Sequence, residues 1–375
     1  MRCLPSLVLA CALLLPVWSS AAELTSTPPM LRGDVELLYR GGINFVRLED
    51  RADTEDAFVD VGAYSQVRQG MNIGAAFSPY HGIAIRLDLP LVFHDARVWE
   101  FANGFRYDPE AGRPVAVGGS PLSPDMLNES ASSRVHRGPG DLALGFRVVP
   151  VAEEGVPGRE GPASLAFDFD LRVPSGSNHD QVRDDGSAGP GWGGVQVRVA
   201  LSGSRRFGPT EPFLSIHYTH RAAYKQDLTG AQVQPADDLD PEGRSQLDPA
   251  DDFGFRFGSE LIMIDDREAD RSMRLQVGFG LTYRGPHELS SGTILPAPLD
   301  ETVGHRARSS EHLMIDLLFG LRARVKPQAE LRVDFAGGWA SPHSVEQVDS
   351  RAYGVRTGPA TFHVSWGVGA LIRIR

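Results

Sequence analysis

The chain has 375 residues and a formal net charge of −11, a balance that argues against nucleic acid as a partner. Its 41 glycines and 27 prolines suit many turns and few helices, and nothing after the N-terminus offers the ~18 uninterrupted apolar residues of a transmembrane helix. The mean hydropathy of −0.20 fits a soluble protein, and fits equally a sheet whose strands are polar on one face.

Residues 1–22 read as an export signal. Arg2 gives the positive end, Leu7 to Trp18 the apolar run, and Ser20-Ala21-Ala22 the small residues for cleavage before Glu23. A lipoprotein alternative would use Val8-Leu9-Ala10 before Cys11. Both cysteines, Cys3 and Cys11, lie in this segment. A mature chain from 23 to 375 then has neither a disulfide nor thiol chemistry.

Beyond the signal, apolar and polar residues alternate, the period of a strand with two different faces. The pattern predicts roughly twelve strands, near 34–48, 62–78, 82–95, 138–150, 163–174, 193–205, 212–223, 252–264, 272–284, 311–325, 329–341 and 361–375. The last is the clearest. Phe362, Val364, Trp366, Val368, Ala370, Ile372 and Ile374 alternate with His363, Ser365, Gly367, Gly369, Leu371, Arg373 and Arg375. Short links are expected near Pro79-Tyr80-His81, Phe207-Gly208-Pro209, Asp265-Asp266-Arg267 and Lys326-Pro327-Gln328, with a medium one at 151–161. Longer polar segments near 96–137, 175–192, 224–251, 285–310 and 342–360 alternate with them. Short turns at one end and long loops at the other are the habit of a transmembrane barrel, and an even strand count leaves both chain ends on the turn side. A soluble β-sandwich would also alternate. It explains less well the continuous apolar face and the alternating loop lengths. The fold predicted is all-β: an outer-membrane antiparallel barrel over residues 23–375.

Two segments resemble a known family. Gly138-Pro-Gly-Asp-Leu-Ala-Leu-Gly-Phe-Arg147 resembles the G-x-G-D-L strand opening of bacterial outer-membrane barrels named for the MetA pathway of phenol degradation. Leu171-Arg-Val-Pro-Ser-Gly176 resembles their P-T-G strand end, with Ser175 in place of Thr. The glycine-rich Gly189-Pro-Gly-Trp-Gly-Gly194 and Arg206-Phe-Gly-Pro209 follow in the same order, so the resemblance covers roughly 138–225. It implies a transporter-like barrel. One departure is the ending Ile374-Arg375, where such barrels usually carry an aromatic residue read by the insertion machinery.

The polar face of the predicted strands carries both charges. Arg86, Arg147, Arg172, Arg198, Arg256, Arg274, Arg322 and Arg332 would point inward, with Asp88, Asp141, Asp168, Asp170, Glu260, Asp316, Glu330 and Asp334. Such a face could select solutes by charge and size, or could fill a narrow lumen with mutual ion pairs. Tyr39, Tyr218, Tyr224, Tyr283, Trp339 and Trp366 could join interfacial girdles.

Other chemistry is weaker. His363-Val-Ser365 and Ser215-Ile-His217 each place serine and histidine on one strand face, as an outer-membrane lipid hydrolase would, but no orienting acid is visible. The segment with Asp227, Asp237, Asp238, Asp240, Glu242, Asp248, Asp251 and Asp252 could gather Ca²⁺ or bridge lipopolysaccharide through divalent ions; it lacks the loop spacing of a calcium site and reads as a solvated loop. The glycine-rich stretches have no Lys-Ser/Thr to make a phosphate cradle. No cofactor is implied. The function expected is passage of small solutes. The alternatives are a closed structural or adhesive barrel whose loops bind a surface partner, and a lipid hydrolase. The partners expected are outer-membrane lipid and lipopolysaccharide, the outer-membrane insertion machinery and a small-molecule solute.

Overall fold

Period-two alternation becomes a closed sheet only if every strand finds two neighbours. The computed structural model describes residues 31–51, 58–101, 105–108, 113–116, 136–153, 163–176, 190–191, 193–227, 244–266, 268–290, 306–347, 354–359 and 361–374. The expected export signal lies outside them. Twelve strands form the wall: β1 (Arg32–Arg51), β2 (Phe58–Tyr80), β3 (Ile83–Phe101), β4 (Leu142–Val151), β5 (Ser164–Val173), β6 (Gln196–Ser204), β7 (Thr210–Arg221), β8 (Asp252–Asp266), β9 (Arg271–Arg284), β10 (His312–Lys326), β11 (Ala329–Ala340) and β12 (Phe362–Ile374). Each pairs antiparallel with the next in sequence. The ring closes where β12 pairs with β1, from Gly33 opposite Ile374 to Phe45 opposite Phe362.

The molecule is polar inside and apolar outside. Every strand exposes a large apolar side chain: Leu37, Phe77, Ile85, Phe146, Phe167, Leu201, Leu214, Phe257, Val277, Leu317, Phe335 and Val368. Leu317 is 54% exposed while Glu260, on the inner face, is 0% exposed. A continuous apolar belt of that extent is unstable against water and stable against lipid. This excludes the sandwich alternative, whose core would hold those residues. Tyr39, Tyr218 and Tyr283 stand on the same outer face, as expected of a girdle.

The turns obey local chemistry. At one end β2 joins β3 through His81-Gly82, where Gly82 has φ 76°, a region favouring glycine. Phe207 and Thr210 bracket the β6–β7 turn, and Lys326 pairs with Ala329 around Pro327-Gln328. The start of β1 and the end of β12 lie at this same end, since Leu31 N donates to Ser78 O and Arg373 N to Gln328 O.

The opposite rim is uneven and corrects the sequence reading. The first three strands run to 20, 23 and 19 residues, against 10, 10 and 9 for β4–β6. Segments expected to be plain loops contain strands. His287–Ser290 pairs with Arg306–Ser309, which pairs with Ser344–Gln347, which pairs with Gly354–Thr357, whose Thr357 reaches Leu48 of β1. The wall therefore stands tall from β9 round to β3 and low across β4–β6. Separate hairpins form from Phe105–Asp108 with Arg113–Ala116, and from Tyr224–Asp227 with Arg244–Leu247. The strand expected at 138–150 starts later, at Leu142, after a short pairing of Gly138–Pro139 with β3.

A little apolar packing remains inside. The Phe213 ring lies against Gly258 and Gly278, with Leu318 beside it. A Cβ on Gly258 would meet the Val277 carbonyl oxygen at 2.3 Å and the Gly278 Cα at 2.6 Å, both backbone atoms that cannot turn aside. Gly258→Ala is therefore expected to destabilise the barrel by about 1–3 kcal/mol. The check is the temperature at which the compact folded band is lost on heating in detergent.

Candidate functional site

The charged residues singled out as inward fall on the inner face of the wall strands, apart from Asp141, which lies just ahead of β4. Arg86 and Asp88 (β3), Arg147 (β4), Asp168, Asp170 and Arg172 (β5), Arg198 (β6), Arg256 and Glu260 (β8), Arg274 (β9), Asp316 and Arg322 (β10), and Arg332 and Asp334 (β11) all alternate with the exposed apolar residues.

Most are tied into ion pairs. Asp168 receives Arg147 on two prongs, Nε at 2.7 Å and Nη2 at 3.0 Å. Asp170 takes Arg86 at 2.9 Å and Arg198 at 3.5 Å. Glu330 is shared by Arg373 at 2.7 Å, Arg332 at 3.2 Å and Arg322 at 3.7 Å, and Arg332 also reaches Glu36 at 2.8 Å. Arg274 lies 3.4 Å from Glu260 and 3.6 Å from Glu211. Asp88 sits among the charges of Arg86, Glu36 and Arg40, and Arg256 between Arg198 and Asp316. Asp334 faces Gly320 on one side and Gly367 on the other.

Glycine makes several of these meetings possible. Register sets Arg86 opposite Gly145 and Gly145 opposite Asp170. Having no side chain, Gly145 lets residues from β3 and β5 meet across β4. A Cβ there would stand 2.7 Å from Asp170 Oδ1 and 3.0 Å from Arg86 Nε. Gly338 does the same between Asp316 and His363, whose Nε2 lies 2.6 Å from Asp316 Oδ1.

Sequence reasoning missed part of this network. Asp252, grouped with the acidic loop, instead opens β8. There it sits in a double fork, 2.6 Å from Arg221 Nη2 and 2.8 Å from Arg284 Nε. Glu36, Glu211, Arg221 and Arg284 were legible as inward positions by parity but stood outside the predicted set. Asp251 accepts from Tyr218 Oη at 2.5 Å and contacts His220 Nδ1 at 2.9 Å. The acidic residues between 228 and 243 lie outside the described residues.

Neither serine–histidine pair is joined. Ser215 Oγ bonds Ser202 Oγ at 2.9 Å, and His217 Nδ1 is buried without a hydrogen bond. His363 has the acid that the sequence could not supply, Asp316, but it is the ring's Nε2 that faces it, and no hydrogen bond links His363 to Ser365. Serine activation needs that link.

At the rim three histidines gather on the tall side. His312 and His343 stack at 3.9 Å with 12° between planes, and His287 lies 6.1 Å from His312. Each Nδ1 meets the carbonyl two residues back, of Gly285, Ser310 and Ser341, at 3.2, 3.2 and 2.9 Å. Ring nitrogens bind metal in the ring plane, so two stacked rings cannot share one ion. Among the described residues no group of three His, Cys, Asp or Glu is placed to hold a metal. Burial, with Arg284 and His343 adding to it, pushes His287 down to about 3. Burial, with Arg284, also lowers His343, against the bond to Ser341.

No protein-family model matches the chain, and no curated protein matches it. Among solved structures it is similar to an outer membrane channel from Pseudomonas putida F1, with 12% identity, TM-score 0.49, and cover of 95% of this chain and 100% of that one. It is also similar to the beta domain of a Bordetella autotransporter, with 12% identity, TM-score 0.41 and cover of 92% and 100%. A FadL homologue from Pseudomonas aeruginosa follows, with 11% identity, TM-score 0.36 and cover of 91% and 90%.

Two outcomes are expected of this site. Asp168→Asn leaves the buried Arg147 without its counter-charge and is expected to cost about 3–5 kcal/mol, read by denaturant unfolding in detergent. His287 and His343 are neutral when folded, with pKa values below the unfolded one. Their contribution is intact above the unfolded value near 6.5 and is lost as pH falls from there toward about 3. Limited proteolysis of the rim is expected to quicken between about pH 7 and about pH 5, and His287→Asn to weaken that dependence.

Proposed function

We propose that the chain is an outer-membrane channel for passive passage of small hydrophilic solutes. The observation that carries this reading is the direction of the ion pairs. Each of those named above lies within one strand or joins strands that are neighbours or next neighbours, so these charges neutralise one another along the wall. Arg147–Asp168 joins β4 to β5, Arg86–Asp170 joins β3 to β5, and Arg332–Glu36 joins β11 to β1. A lumen closed by its own side chains would need pairs between opposite walls.

The resemblance of residues 138–225 to the phenol-pathway barrels supports a transporter-like role. In this reading the tight turns face the periplasm and the tall rim faces outward. The belt and rim meet lipid and lipopolysaccharide, and the insertion machinery handles the last strand. A closed barrel acting through its rim is the second reading. It draws on the short strands from His287 to Thr357, which give the rim a defined shape.

Refolded protein in a planar bilayer under a salt gradient separates the two. Discrete conductance steps with a reproducible reversal potential are expected. Silence from protein shown to be folded and inserted would overturn the channel and leave the rim as the working surface.

A further inference from the structure

Near the rim, on the low side of the wall, one row of inward side chains is only partly absorbed by the network. Register sets Arg172 of β5 opposite Gln196 of β6, and Gln196 opposite Arg221 of β7. Two guanidiniums thus flank one amide on a single face, with strands about 4.8 Å apart.

Arg172 takes part in no ion pair or hydrogen bond among the described residues. Its opposite charges act at longer range and are already engaged: Asp170 holds Arg86 and Arg198, and Asp141 accepts from the Gly176 amide at 3.1 Å. Two like charges press on it, Arg221 from its own row and Arg68 from β2. Arg68 also makes no ion pair or hydrogen bond among the described residues. Nε of Arg172 is sealed from solvent without an acceptor, and the residue as a whole is half-buried. Arg221 is 5% exposed; Asp252 holds its Nη2 and the Ala250 carbonyl its Nη1, which leaves only Nε orphaned, and the acceptor Gln196 Oε1 is orphaned as well. Positive charge is therefore concentrated where the donors of Arg172 stand without acceptors, a demand that an oxyanion meets with forked hydrogen bonds.

We propose that Arg172, Gln196 and Arg221, with Arg68 facing them, form a binding subsite for a soluble oxyanion, the carboxylate or phosphate group of a small solute entering from the rim. Gln196 donates its amide N–H to the anion between the guanidiniums. The subsite gives the proposed channel a substrate class, small organic anions. It rests on that reading for access only, because the row faces the lumen mouth whether or not the barrel conducts.

The test is calorimetric titration of the refolded chain in detergent with inorganic phosphate, at constant ionic strength in chloride. Saturable binding is expected, weakened about tenfold or more in Arg172→Gln and in Arg68→Gln, partly restored in Arg172→Lys, and unchanged in Arg32→Gln at the far end. The heat-dependent shift of the folded band shows that each variant is folded. No saturable binding by the folded chain, or equal binding by folded Arg172→Gln, overturns the subsite. Bilayer recordings are then independent. Conductance without phosphate binding keeps the channel and removes the subsite. Phosphate binding without conductance keeps the subsite and removes the channel.

Discussion

A charge that faces the inside of this barrel must meet its opposite within reach along the wall. That constraint organises the rest. Water in the lumen tolerates polar side chains, but the inner carboxylates and guanidiniums are nearly covered by one another, and a covered charge left alone is severely destabilising. The solution is positional. Partners stand at one register on flanking strands, with glycine on the strand between, as at Arg86-Gly145-Asp170 and Asp316-Gly338-His363. The small residues that make the sequence look poor in packing are the gaps through which its charges pair. The outer belt needs no such arrangement, since lipid accepts any apolar side chain, and there Leu, Phe, Val and Ile follow one another without evident order.

The same constraint explains what could be read from sequence. All twelve wall strands were legible because alternation is local: a strand declares its two faces within ten residues. Ion-pair partners were not, because Glu36 meets Arg332 only through closure of the ring, a relation no local pattern encodes. Asp252 misled for a related reason. It ends an acidic run in sequence, yet its neighbours in space are Arg221 and Arg284, brought to it by two strand pairings. The short rim strands were missed because four-residue strands give too little alternation to rise above loop composition. Bulges matter too. The shift between Gln69 and Gly70 sets Gly70 opposite Val92 but Gln69 opposite His94, so face cannot be counted straight through β3.

Wall chemistry and rim shape together make the two sides of the molecule unlike. Toward β9–β12 and β1–β3 the rim is tall, and the stacked histidines stand within it. Toward β4–β6 it is low, and it is there, at the top of β5, that Arg172 lies without a counter-charge in contact. A formal charge of −11 for the whole chain therefore says little about what the interior prefers. Most inner acids named here are already held, so the field at the mouth is set by the few cations left over.

The closing pair of strands has a consequence for how the molecule is made. Gly33 meets Ile374, so the first and last strands of the wall close it on each other. Until the last strand arrives, the growing wall is an open sheet with two bare edges, each a template for pairing with the wrong chain. Closure is the longest-range contact in the wall, and the Arg332–Glu36 pair does not exist before it. The barrel is thus expected to gain much of its stability in one late, cooperative step, and a half-made molecule has strong reason to be guarded until that step is taken.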